Sequence, residues 1–135
     1  MGAKLDLKSI QCINIFYKVT GVRTQESFVY NNVRLFVVDS SMLGKALGEK
    51  GINIRRLGYM LHQRVRVIPE SGIENFTRMI VQPVKFKRMV DESGFVTIFA
   101  GQQAKASLIG RDKVRIKELS ELLRQHFNIK GLRVV

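Results

Sequence analysis

Gly48 and Gly51 enclose Glu49 and Lys50 and stand between two helical patterns, the first ending at Leu47. The chemistry such a segment can do is to hold a phosphate. Glycine lacks a Cβ, so the main chain can take φ above zero and a polyanion can approach it closely. Gly51 also opens a helical run through Ile54, Leu57 and Leu61, and the free N–H groups and positive dipole end of a helix start favour anions. Lys50 adds a full charge between the glycines, and Asn53, Arg55 and Arg56 follow within about a turn. Leu47 and Ile54 are read as core residues with an edge on the adjoining groove. Taken alone, G-x-x-G is a weak pattern; its setting between strand, helix, helix and strand gives it weight.

Other chemistries find little support. A nucleophile needs a base and an orienting group, yet Cys12 has no His nearby in sequence and no Gly-x-Ser-x-Gly occurs. Gly44 to Gly51 lacks the Gly-Lys-Ser/Thr ending of a phosphate-binding Walker loop. His62 and His126 fall at the ends of helical runs, and two histidines with one cysteine do not make a metal site. No enzyme, metal or cofactor is expected.

Charge points to the partner. Twenty-three Lys and Arg against eleven Asp and Glu give +12 at pH 7 and a pI near 10.4, which makes nucleic acid the first candidate. Up to residue 70 there are eleven basic and five acidic residues, and beyond it twelve and six, so each half carries +6. A basic tail on a neutral domain is excluded. The lone Cys12 lies in an apolar stretch, which implies a core position, no internal disulfide and a reducing cytoplasmic setting. No apolar run approaches the length of a membrane span, and no signal-type block opens the chain.

The elements that must hold the loop follow from periodicity. Residues 5 to 19 place Leu5, Cys12, Ile13 and Phe16 at helical offsets, although Ile10 and Ile15 leave a strand reading open. A β-like stretch from Arg23 to Tyr30, a turn at Asn31-Asn32 and an apolar strand from Arg34 to Val38 predict a hairpin. Asp39 or Ser40 can cap the helix carrying Met42, Leu43, Ala46 and Leu47. The helix from about Gly51 to Leu61 is followed by Arg64-Val65-Arg66-Val67-Ile68, a strand with one buried face and one wet cationic face. Ser71-Gly72-Ile73-Glu74 fits a capping box, predicting a helix from residue 72 that continues until Pro83. Then come a basic strand around Val84 to Val90, turn residues Asp91 to Gly94, and a strand from Phe95 to Ala100. Gln102 to Ile109 reads as a helix, Gly110-Arg111-Asp112-Lys113 as a break, Val114 to Phe127 as a helix and Leu132 to Val135 as a strand.

The second half repeats the first. Advancing each position by 62 carries Gly48 to Gly110, Ile54 to Ile116, Leu57 to Leu119, Leu61 to Leu123, Leu47 to Ile109 and Phe36 to Ile98. The order of elements carries more weight than these matches: helix, strand, strand, helix, loop, helix, strand, twice. The reading is an α+β fold of two units, 1–70 and 71–135.

The order of elements, the turn Leu47-Gly48-Glu49-Lys50-Gly51 and the following Asn53-Ile54-Arg55-Arg56-Leu57 resemble a type II K-homology (KH) domain, whose G-x-x-G loop clamps single-stranded nucleic acid. Two such units filling so short a chain are similar to the archaeal NusA-like transcription termination/antitermination factors. That resemblance implies single-stranded RNA, nascent transcript or rRNA, as ligand, RNA polymerase as a further partner, a monomer, and a role in elongation, pausing, termination or antitermination. Leu47, Gly48, Glu49, Lys50, Gly51, Asn53, Ile54, Arg55, Arg56, Arg64 and Arg66 are its candidate RNA contacts in the first unit. Gly110, Arg111, Asp112, Lys113, Arg115 and Lys117 are those in the second. Two alternatives stay open: a KH-type rRNA-binding or ribosome-assembly factor, and a polymerase-docking scaffold with little RNA contact.

The second loop departs from the pattern: Lys113 stands where the family has its closing glycine, and Asp112 takes an inner position, where its first expected task is to cap the next helix. The first groove is therefore expected to dominate.

Overall fold

The computed structural model describes residues 7–24 and 26–135; Leu5 and Gln25 lie outside them. The chain divides into two compact units, one ending at Ser71 and the other starting at Gly72. Among the described residues, six α-helices and two small mixed three-stranded sheets make an α+β fold.

In the first unit α1 (Leu7–Thr20) precedes β1 (Ser27–Tyr30) and β2 (Val33–Val38). Asn31 and Asn32 turn this hairpin with φ of 51° and 64°, the double left-handed turn that matches strand twist. A single helical turn at Ser40–Met42 leads into α2 (Leu43–Leu47), then α3 (Ile52–Leu61) and β3 (Arg64–Pro69). Asp39 caps the short turn. Its carboxylate accepts hydrogen bonds from the Ser41 hydroxyl and N–H, which hold its pKa below the ordinary value. β2 is central, antiparallel to β1 and parallel to β3. The helices pack on the sheet through one cluster: Cys12 and Phe16 from α1, Phe36 and Val38 from β2, Ala46 from α2, Leu57 from α3, and Val65 and Val67 from β3. Phe16 and Phe36 stack at 4.4 Å.

Side chains alternate across a strand, so Leu35, Val37, Arg64, Arg66 and Ile68 lie on the face opposite that cluster. This face differs from the wet one the sequence predicts. Arg64 is exposed, but Arg66 is half-buried, and Ile68, paired in register with Val37, is 2% exposed. Arg34 departs as well. Although charged, it is 4% exposed, with its guanidinium donating to the hydroxyls of Ser9 and Ser27.

The second unit repeats the order: α4 (Ile73–Val81), β4 (Arg88–Glu92), β5 (Phe95–Phe99), α5 (Gln102–Ile109), α6 (Val114–Phe127) and β6 (Gly131–Val134). β5 is central, antiparallel to β4 and parallel to β6. Phe76, Ile98, Leu108, Leu119 and Leu123 are fully buried. His126 stacks on Phe76 at 4.5 Å, so it serves as an aromatic packing surface.

Three local expectations change here. The capping box does not form: Gly72 is the N-cap without a side-chain bond, and Glu74 pairs instead with Arg78 at 2.8 Å. The strand around Val84 to Val90 begins only at Arg88, because Arg78 donates to the carbonyls of Phe86 and Lys87 and so occupies acceptors that a strand would use. The turn expected over Asp91 to Gly94 contracts to Ser93-Gly94, both at positive φ, with Asp91 accepting from the Gly94 N–H at 2.9 Å.

Leu57 joins α3 to the sheet from a fully buried position. Leu57→Ala should cost about 2 to 5 kcal/mol in urea unfolding; a loss below about 1 kcal/mol would mean that α3 is not anchored through this side chain.

Candidate nucleic-acid interface

The loop after α2 owes its shape to backbone chemistry. α2 ends at Gly48, whose N–H donates to the Gly44 carbonyl at 3.0 Å and whose φ and ψ are 76° and 169°, a region open essentially to glycine alone. Lys50 and Gly51 follow in the left-handed region at φ 54° and 72°, and the Gly51 N–H returns to the Gly48 carbonyl at 3.0 Å. α3 starts at the next residue. Two side chains brace the junction. Asn53 Nδ2 donates to the Lys45 carbonyl at 3.2 Å, and an Arg55 guanidinium nitrogen donates to the Lys50 carbonyl at 2.6 Å.

The loop after α5 has the same backbone built from different residues. Gly110 has φ 75° and ψ 170°, against 76° and 169° at Gly48. Asp112 has φ 56° and ψ 26°, against 54° and 27° at Lys50. Lys113 has φ 61° and ψ 20°, against 72° and 22° at Gly51. Loss of the closing glycine has not altered the loop. A Cβ at Gly51 would meet nothing nearer than an Arg55 guanidinium nitrogen at 3.8 Å, so the position has room for a side chain and its cost is dihedral alone. The expected role of Asp112 as helix cap is corrected: Lys113 occupies the N-cap position, with no side-chain cap bond, and Asp112 lies exposed in the loop.

In the first unit, Leu47 to Arg56 gather at the junction, with Glu49, Lys50, Arg55 and Arg56 exposed and Leu47, Asn53 and Ile54 half-buried. Arg64 and Arg66 do not join them. α3 has ten residues, about 15 Å of helix at 1.5 Å per residue, and Arg64 follows its far end. Both arginines also lie on the sheet face away from the helices. Burial, and behind it the neighbouring Arg64 charge, lowers the Arg66 pKa below its ordinary value. In the second unit Gly110 to Lys113, Arg115 and Lys117 cluster at the start of α6, and Arg115 is engaged by Glu118 at 2.5 Å.

Beside the predicted Arg55 and Arg56, the residues Ile52, Tyr59 and Met60 escaped the sequence reading. Ile52, Arg55, Arg56, Tyr59 and Met60 line a shallow cavity of about 370 Å³ on the outer side of α3, with Tyr59 83% exposed. The spacing of Ile52, Arg55, Arg56 and Tyr59 was available as a helical stripe, but it reads as continuous with the apolar face that packs inward. Among the described residues no group of three or more His, Cys, Asp or Glu converges as a metal site, and no helix is long and apolar enough to cross a membrane.

No family model matches the chain, and no curated protein matches it. Among solved structures, the crystal structure of APE1850 superposes with a TM-score of 0.68 at 23% identity, covering 97% of this chain and 100% of that one. The two proteins share a fold, and the α+β arrangement described above is therefore one that an experimentally determined chain also adopts.

The two glycines that open the loops differ in their surroundings. A Cβ at Gly48 would meet side-chain atoms alone, Asn53 Nδ2 at 2.8 Å, Asn53 Cγ at 2.9 Å and Ile52 Cγ2 at 3.0 Å, whereas at Gly110 it would meet Arg115 Cβ at 2.7 Å and the Arg115 backbone nitrogen at 3.0 Å. Gly48→Ala and Gly110→Ala should each destabilise by about 1 to 3 kcal/mol, with Gly110→Ala the worse in parallel thermal melts. The reverse order would show that side-chain adjustment does not govern the difference.

Proposed function

We propose that this chain is a single-stranded RNA-binding protein made of two tandem type II KH units, and that each unit receives RNA phosphate at its loop–helix junction. The carrying observation is the repetition of one backbone. Two loops with different residues share the same φ and ψ at three positions and open onto a helix start, in a chain of net charge +12. Main-chain N–H groups, the helix N-terminus and nearby Lys and Arg side chains together favour a polyanion. Leu47 and Ile54 supply the apolar edge against which unpaired bases would lie.

By its resemblance to the archaeal NusA-like factors, the protein would hold nascent RNA through two KH grooves and modulate elongation, pausing, termination or antitermination, as a binding protein without catalysis. Arg64 and Arg66 are left out of the groove because of their place on the opposite sheet face. The exposed stripe of Ile52, Tyr59 and Met60 favours a second reading, a docking scaffold for a protein partner such as RNA polymerase. Salt-dependent binding of a short single strand separates the two.

Lys50 and Asp112 hold equivalent loop positions in the same conformation, so exchanging their charges changes electrostatics with little change in shape. At about 5 Å and an effective dielectric of about 40 to 80, each unit of charge contributes roughly 1 to 2 kcal/mol against a phosphate. Lys50→Asp should weaken binding of a single-stranded RNA in a fluorescence anisotropy titration, and Asp112→Lys should strengthen it. Equal affinities for both variants and the parent would remove the loops from the binding site.

A further inference from the structure

The sheet of the second unit carries an aromatic and cationic surface on the side away from its helices. Val96, Ile98 and Val134 are buried; by alternation Phe95, Thr97 and Phe99 of β5 project to the opposite face. Their register partners there are Glu92, Val90 and Arg88 on β4 and Gly131 and Arg133 on β6. Phe95 is 60% exposed although it lies on the central strand. Its ring leans over Gly131, where an added Cβ would meet Phe95 Cδ1 at 3.3 Å. The glycine lets the ring settle close to β6 while much of its surface stays open.

Cations lie along this face. Lys130 Nζ is 5.9 Å from the Phe95 centroid. Arg133 is held two residues along from Gly131, with Nε donating to Thr97 Oγ1 at 3.1 Å. The Arg88 guanidinium covers Phe99 at 4.1 Å. Glu92, Phe95, Thr97, Gly131 and Arg133 line a cavity of about 340 Å³, at the small end of the range for ligand sites. In the first unit the pair matching Phe95 and Gly131 is Val33 and Arg64, so this surface belongs to the second unit alone.

We propose that this face is a base-stacking platform for single-stranded RNA, separate from the loop junctions: one base stacks on Phe95, and the flanking phosphates lie against Arg133 and Lys130. Aromatic rings accept any base through its π-face, and adjoining cations follow the backbone. Three cations against one carboxylate, Glu92, suit a polyanion, and Glu92 turns the phosphates toward the Arg133 and Lys130 side. A protein interface would need a wider exposed apolar core than Phe95 supplies, since Arg88 covers Phe99.

The proposal rests on the RNA-binding reading only for the identity of the ligand, and the test separates the two. With single-stranded oligoadenylate, backbone amides at residues 95–99 and 130–133 should shift in an NMR titration of the intact chain, and should still shift in Lys50→Asp. Phe95→Leu, which keeps an apolar cover over Gly131, should lower affinity at least about fivefold. An abasic strand with the same phosphates should bind wild type and Phe95→Leu alike. Unshifted sheet amides, or full affinity in a folded Phe95→Leu variant, would overturn the platform even if the loop amides respond. Sheet shifts without loop shifts would keep it and remove the loop reading. Should Phe95→Leu fail to fold, the wild-type amide map decides, with the sheet amides expected to shift with oligoadenylate and not with the abasic strand; equal shifts with both would overturn the platform.

Discussion

In each unit a helix must stop at a residue with φ near 75° and ψ near 170°, and another must start two left-handed residues later. Left-handed backbone costs an L-residue roughly 1 to 2 kcal/mol, and Lys50, Asp112 and Lys113 all adopt it. Neither junction has a side-chain helix cap to offset that cost, although Asn53 and Arg55 brace the first through hydrogen bonds to the Lys45 and Lys50 carbonyls. The offset comes from the flanking helices. Ala46 and Leu57 bury both sides of the first loop, and Leu108 and Leu119 both sides of the second. The backbone of each junction is therefore held in place by apolar packing in the helices on either side.

That dependence explains what was legible in the sequence. Leu119 and Leu123 stand one helical turn apart, and α5 and α6 have the bounds read from the sequence on either side of the Gly110–Lys113 break. The Asn31-Asn32 turn was legible because only a few residue types take φ above zero on two successive positions. The misreadings arose where a side chain took a partner outside its own pattern. Val84-Lys85-Phe86-Lys87 alternates as a strand should, yet Arg78 claims two of its carbonyls. Glu74 stands where a capping box needs it, yet is engaged by the same arginine. One residue thus produced two local errors.

Site residues were harder to place than elements. Alternation correctly put Arg64 and Arg66 on one face, but which face carries the loop depends on packing, and Val65 and Val67 point toward the helices. Lys113 presented the opposite difficulty. Its Cβ was read as weakening the second groove, and the fold holds it near the conformation of Gly51. Tyr59 and Phe95 drew no attention because an aromatic in an amphipathic stretch reads as core; only their exposures of 83% and 60% separate them from it.

The two units now differ mainly in charge and surface rather than in backbone. The first loop pairs Glu49 with Lys50 beside an exposed apolar stripe, and the second sets Asp112 between Arg111 and Lys113 in a unit whose sheet presents Phe95. The central claim is that RNA phosphates are neutralised at these sites on an unpaired strand. Affinity for a single-stranded oligonucleotide, measured across a range of salt, tests it most directly. With roughly 4 to 6 phosphates engaged, log K should fall against log salt with a slope of about 0.7 per contact, and a duplex of equal length should bind less tightly. Salt-independent affinity, or a preference for duplex, would contradict the account.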